Sequence, residues 1–172
     1  MTRTDPNRPS RGFAPIARRD ARILVLGSLP SRRSLQVGEY YAHSRNAFWP
    51  IIAELTGVSG AYAERCAALT GRRIALWDVL ESSERPGSMD AAIRRDTARA
   101  NDFDAFFAEH PHIERICFNG RTAARLFKEL VEPSTGTSGA ESIVLPSTSP
   151  AYAALPFEDK LGRWREALAQ KL

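Results

Sequence analysis

Four short apolar runs punctuate the chain: RILVLGS (22–28), RIALWDV (73–79), ERICFNG (114–120) and ESIVLPS (141–147). Each is continuous rather than alternating, the pattern of a strand covered on both faces. Between them, apolar residues recur at helical spacing. Phe48, Ile51, Ile52 and Leu55 open one such stretch, and AYAERCAAL (61–69), DFDAFFAEH (102–110) and RTAARLFKEL (121–130) supply others. KLGRWREALAQKL (160–172) closes the chain as an amphipathic helix. Strands alternating with helices predict an α/β fold, a three-layer sandwich around a central, mainly parallel four-stranded sheet. Ligands of such sheets bind beyond the carboxyl ends of the strands. Here those ends run into Gly27, Asp78, Asn119 and the Pro146-Ser147 pair.

At 172 residues the chain is long enough for one self-sufficient core. Residues 21–172 read as a single domain and residues 1–20 as a flexible basic arm rich in Arg3, Arg8, Arg11, Arg18 and Arg19. EPSTGTSGAE (132–141) reads as a flexible loop. With 43% hydrophobic and 26% charged residues, and no apolar run of spanning length, the chain has no membrane role. The N-terminus lacks the apolar segment of a secretory signal, which makes the cytoplasm the expected compartment. Cys66 and Cys117 have neither metal-ligand spacing nor the pattern of a disulfide framework, and His110 and His112 flank a proline. No metal and no cofactor are therefore expected. The formal net charge of +4 favours a polyanionic partner only weakly; Arg32 and Arg33 before the aromatic stretch EYYAHSRNAFW (39–49) and Arg45 within it give that preference a location.

Candidate chemistry gathers after the strands. Gly27 and Pro30 fit a tight turn that brings backbone N–H groups to a ligand, with Ser28, Ser31 and Ser34 beside it. Neither a phosphate-loop ending nor a dinucleotide glycine fingerprint is present. Taken singly, Asp78 and Asn119 have the ordinary reading of turn or cap residues. Ser147 or Ser149 as a nucleophile would need a general base, and His43 is the only histidine near these loops. Tyr40, Phe48 and Trp49 read as core at a helix start, while Tyr41, next to polar residues, is the better stacking face.

Taken in order, GSLPSRRSL, EYYAHSRNAFWPII, LWDVLESSERPGSMDAAI, ICFNGRTAARLF and LPSTSPAYA resemble the uracil-DNA glycosylase superfamily over residues 22–153. Within it the nearest branch is the DNA-deoxyinosine (hypoxanthine-DNA) glycosylases, with the mismatch-specific uracil/thymine enzymes as cousins. The resemblance implies that Gly27, Ser28, Leu29 and Pro30 form the turn that holds the base. Leu29 stands where relatives often carry a water-activating Asp or Asn. Tyr41 matches the aromatic that stacks on the flipped base, and Asn46 a substitute polar catalytic residue. Asp78 falls where relatives place a base-reading asparagine, and is the second choice for handling the water. Asn119 joins the substrate-binding set. Ser31, Arg32, Ser147, Thr148 and Ser149 become the DNA-contacting residues, and Leu145 replaces a His or Asn that stabilises the departing base.

The implied activity is monofunctional hydrolysis of the N-glycosidic bond in DNA containing deaminated bases, hypoxanthine first, by base flipping and water attack. A monomer acting in the cytoplasm on nucleoid DNA, as part of base excision repair, is expected. Three other readings stay open. One is a mismatch-type enzyme for uracil or xanthine. Another is a binding module for damaged DNA that lacks catalysis, since Leu29 and Leu145 replace both customary catalytic side chains. A small-molecule α/β hydrolase is a third, distinguishable by activity on the free nucleoside.

Overall fold

The computed structural model describes residues 5, 8–135 and 139–169. Its centre is a parallel sheet of β2 (Ile23–Gly27), β3 (Ile74–Asp78), β6 (Arg115–Asn119) and β7 (Glu141–Leu145), in the order β3-β2-β6-β7. The four expected strands are all present.

Side chains alternate across this sheet and feed two cores. Ile23, Val25, Ile74, Leu76 and Cys117 face α2 (Phe48–Thr56), α3 (Tyr62–Gly71) and α7 (Phe157–Leu168). Leu24, Leu26, Ala75, Trp77, Ile116 and Phe118 face α4 (Phe103–Glu109) and α5 (Arg121–Leu130). The continuous apolar runs of the sequence are thus explained by burial on both faces, which makes three layers. Trp164, fully buried, donates its indole N–H to the Pro146 carbonyl at 3.0 Å and so ties α7 to the loop after β7. That helix begins at Phe157, three residues before the expected start, because Pro156 delivers the chain into a first turn carrying Glu158 and Asp159.

A second, antiparallel sheet was not legible in the sequence. It has the order β1-β4-β5, from β1 (Ser10–Arg11), β4 (Leu80–Ser83) and β5 (Arg99–Ala100). Ser10 and Arg11 lie within the stretch expected to be a flexible arm. Ile16 forms a bridge with Leu76, and the Phe13 ring packs edge-on against Tyr40 at 5.1 Å. From Ser10 onwards the arm is therefore part of the fold; residues 1–4, including Arg3, and residues 6 and 7 lie outside the described residues. The expected loop over 132–141 opens instead with a short helix, α6 (Glu132–Thr135), and its residues 136–138 lie outside the described residues. α1 (Arg32–Val37) completes the set. No helix among the described residues is long and apolar enough to cross a membrane.

Candidate active site

The register of the parallel sheet sets Gly27 beside Asp78 and Asn119 beside Leu145 at the carboxyl ends of the strands. Above them opens a cavity of about 440 Å³, lined by every residue expected to touch base or DNA except Arg32, which is exposed on α1 outside the wall. The loops after β2, β3, β6 and β7 thus converge as the strand order requires.

Its floor is the tightest part. A Cβ on Gly27 would come within 2.5 Å of Asp78 Oδ1 and 2.7 Å of the Tyr41 hydroxyl, so only glycine lets these two groups meet. Asp78 is 3% exposed, and its Oδ2 has no hydrogen-bond partner among the described residues. Burial, reinforced by the charge of Asp90 and opposed by that of Arg85, pushes its carboxyl up to about 7. The Tyr41 hydroxyl is equally buried and has no partner of sound geometry. Burial and the Asp78 charge raise its pKa well beyond the ordinary phenol range, so it stays a donor at any working pH.

Tyr41 reaches this position through a strained backbone. Its φ of 53° is in the left-handed region, uncommon for an aromatic residue. The neighbours enforce it: Tyr40 is buried, with its hydroxyl on the Ala14 carbonyl at 2.9 Å, and Ala42 N–H donates to Ser34 Oγ at 3.1 Å. Pinned on both sides, the chain lays the Tyr41 ring against Phe48, centroids 4.4 Å apart. Phe48 in turn meets Trp49 and Trp164 edge-on, so the aromatic wall is anchored in the core.

Asn46 lines the cavity, half-buried, and its Oδ1 accepts from Phe48 N–H at 2.9 Å. That bond, an Asx-type turn just before α2, fixes the side chain. Next to it, Ala47 N–H donates to the Thr148 carbonyl at 3.0 Å, joining the aromatic segment to the loop after β7. Thr148 was expected on the DNA-contacting surface, but it is 1% exposed and turned inward. Asn119 donates to its Oγ1 at 2.8 Å and accepts from its N–H at 2.9 Å. Both ends of the Asn119 amide are thereby engaged with Thr148, and the pair locks the loop to the end of β6. Gly120, at φ 92°, lets Ser147 approach; a Cβ there would lie 3.2 Å from Ser147 Cβ.

Leu29 is 6% exposed and joins the core under α4 and α5 while touching the cavity. Its neighbour Ser31 spends its side chain on capping α1, accepting from Ser34 N–H at 3.2 Å. Beyond these, the wall contains residues to which sequence reasoning gave no role: Asp90, which accepts from Ser28 Oγ at 2.6 Å, Ser88, Met89 and Tyr152. They belong to the segment between β4 and β5 and to the end of the LPSTSPAYA stretch, both quoted in the resemblance but with no periodicity to aim them inward. Among the described residues no cluster of three or more His, Cys, Asp or Glu could hold a metal ion.

Residues 14–172 match the uracil DNA glycosylase superfamily. A hypoxanthine DNA glycosylase of Methanosarcina acetivorans is 37% identical over 144 residues, covering 82% of this chain and 87% of its own. A hypoxanthine DNA glycosylase of Methanosarcina barkeri is 32% identical over 160 residues, covering 91% and 96%. The solution NMR structure of a Methanosarcina acetivorans protein provisionally described as a uracil DNA glycosylase superposes with a TM-score of 0.78 at 32% identity. It covers 94% of this chain and 97% of its own.

Proposed function

This chain is a DNA glycosylase belonging to the uracil DNA glycosylase superfamily, and from that premise we propose that it acts on deaminated DNA, removing hypoxanthine from deoxyinosine first. The observation that carries this reading is the buried, unpartnered Asp78 oxygen on the cavity floor beside Tyr41 and Gly27. A buried acceptor left without a partner is costly unless a ligand supplies the donor. Hypoxanthine differs from adenine by a carbonyl in place of the amino group and by a proton on N1. Ionised Asp78 accepts a hydrogen bond from that N1–H. Backbone N–H groups of Ser28 and Leu29 donate to the new carbonyl, a donor-to-acceptor pairing that the adenine amino group cannot make.

The base leaves the stack at a cost of about a few kcal/mol. The ring of Tyr41, backed by Phe48, recovers about 1–3 kcal/mol by stacking. As the bond between C1′ and the base N9 breaks, positive charge grows on the sugar and negative charge on the purine. The N–H donors of the turn offset the second. Water then attacks C1′. Asn46 is the residue we assign to orient it, because it lines the cavity, is less buried than Asp78 and is held still by its bond to Phe48 N–H. As a neutral amide it positions the water rather than deprotonating it. Among the described residues no lysine lines the cavity, and the proposed reaction is monofunctional, without a Schiff base. Arg32, Ser147 and Ser149 face the phosphates, while Asn119 and Thr148 hold the loop that carries them.

Duplexes carrying a single inosine, uracil or xanthine test the reading. Inosine-containing strands become alkali-labile fastest, and borohydride traps no protein on DNA. Uracil or xanthine cleaved faster than inosine would move the assignment to the mismatch-type branch, and trapping would overturn the monofunctional mechanism.

A further inference from the structure

Arg85 lies in the LWDVLESSERPGSMDAAI stretch without a role assigned to it there, and the residue is only 4% exposed. It donates from Nη1 to the Leu29 carbonyl at 3.3 Å and from Nη2 to the Pro30 carbonyl; its Nε has no partner among the described residues. These are consecutive carbonyls of the turn that forms the base pocket. Resting on the function proposed above, we propose that Arg85 is a positioning residue for base release, a buried clamp that fixes the Gly27–Ser31 turn.

A surface loop has no need to bury a guanidinium, because taking that charge out of water is expensive and is offset only by well-placed acceptors. Both bonds found here go to the one turn. A trans peptide sends N–H and C=O in opposite directions, so fixing the Pro30 carbonyl also fixes the Ser31 N–H on the far side. Two further contacts join the same partners. Arg32 N–H donates to Ser88 Oγ at 3.0 Å, and Ser28 Oγ donates to Asp90 at 2.6 Å. The segment from Arg85 to Asp90 is therefore fastened to the turn at three places. Its root is held as well: Ser83, fully buried, donates to the carbonyls of Glu84 and Arg94 at 3.2 Å each. The guanidinium is also the cation that opposes the rise of the Asp78 carboxyl, which burial and the charge of Asp90 drive; the phenols of Tyr40 and Tyr41, themselves raised by the Asp78 charge, complete its surroundings. Geometry and charge thus act on the same floor.

The test uses the full chain under single-turnover conditions on an inosine duplex, with circular dichroism and DNA affinity measured in parallel. Wild-type release of hypoxanthine is the first readout, and its absence overturns the functional reading independently of Arg85. Given wild-type activity, Arg85→Met is expected to lower the release rate about tenfold or more with DNA affinity changed less than about threefold. It also moves the pH midpoint of the rate upward from about 7. Arg85→Lys keeps the charge but not the two-pronged geometry, so its rate falls about threefold or more while its midpoint stays in place. A folded Arg85→Met with an unchanged rate and midpoint overturns the proposal, as does a Lys variant with full rate. Failure of both variants to fold overturns it too, by making Arg85 a requirement of the fold.

Discussion

Asp78 and Asn46 carry different loads, and substitution separates them. In the proposed reaction Asp78 accepts from N1–H only when ionised, so the release rate is expected to rise with pH to a midpoint near 7. Asp78→Asn keeps the shape, lowers the rate and removes that midpoint; a rate profile still titrating near 7 would assign the titration elsewhere. The same shift appears in stability, with its sign set by the raised pKa. The folded state favours neutral Asp78, so this contribution is intact below about pH 4 and is lost as pH rises through about 7. Chemical denaturation at pH 5 and pH 8 should therefore find Asp78→Asn gaining on the wild type by about 2–4 kcal/mol between the two. Asn46→Ala should lose about 100-fold or more in release rate, with about 1 kcal/mol of stability lost through the missing bond to Phe48 N–H. Undiminished release by Asn46→Ala would reduce that residue to its bond with Phe48 and move the water to Asp78. At this scale the motif residues were legible because each follows a recognisable strand or precedes a recognisable helix. Arg85 and Asp90 were not, because the burial of the first and the bonding of both come from a segment without periodicity.

At the scale of elements, the site depends on the parallel sheet ending in step. Gly27 and Asp78 are register partners, and Gly27→Ala drives a methyl into the Asp78 carboxylate and the Tyr41 hydroxyl. Release should drop steeply while the sheet, paired further down, survives; normal activity in Gly27→Ala would mean that the floor can relax. Asn119→Ala removes two buried hydrogen bonds to Thr148 and should cost about 1–3 kcal/mol in denaturant unfolding, with weaker DNA binding as the loop after β7 loosens. The central sheet could be read because strands buried on both faces leave unbroken apolar runs. The antiparallel sheet could not, since strands as short as Ser10–Arg11 and Arg99–Ala100 carry no pattern and form by pairing alone. The same pairing draws residues 10–16 into the fold, where their composition suggested a loose arm.

Over the whole molecule, a modest net charge of +4 is used locally. Arg32, Arg33 and Arg45 are exposed around the segment that carries Tyr41 and Asn46. DNA affinity should fall steeply with salt, and Arg32→Ala should reduce the slope of log K against log salt by about one while leaving base preference unchanged. An unaltered slope would remove Arg32 from the phosphate contacts. Leu29 and Leu145 left open a molecule that binds without cutting; the relatives, named for their glycosylase activity, resolve that in favour of catalysis. The most direct measurement of the account is mass-spectrometric detection of free base released by purified protein from duplexes with one inosine, one uracil, one xanthine or only normal bases. Hypoxanthine should appear fastest, at a rate that climbs with pH to a midpoint near 7, with adenine retained in every duplex. Intact inosine duplex after prolonged incubation, or release of adenine alongside hypoxanthine, would contradict it.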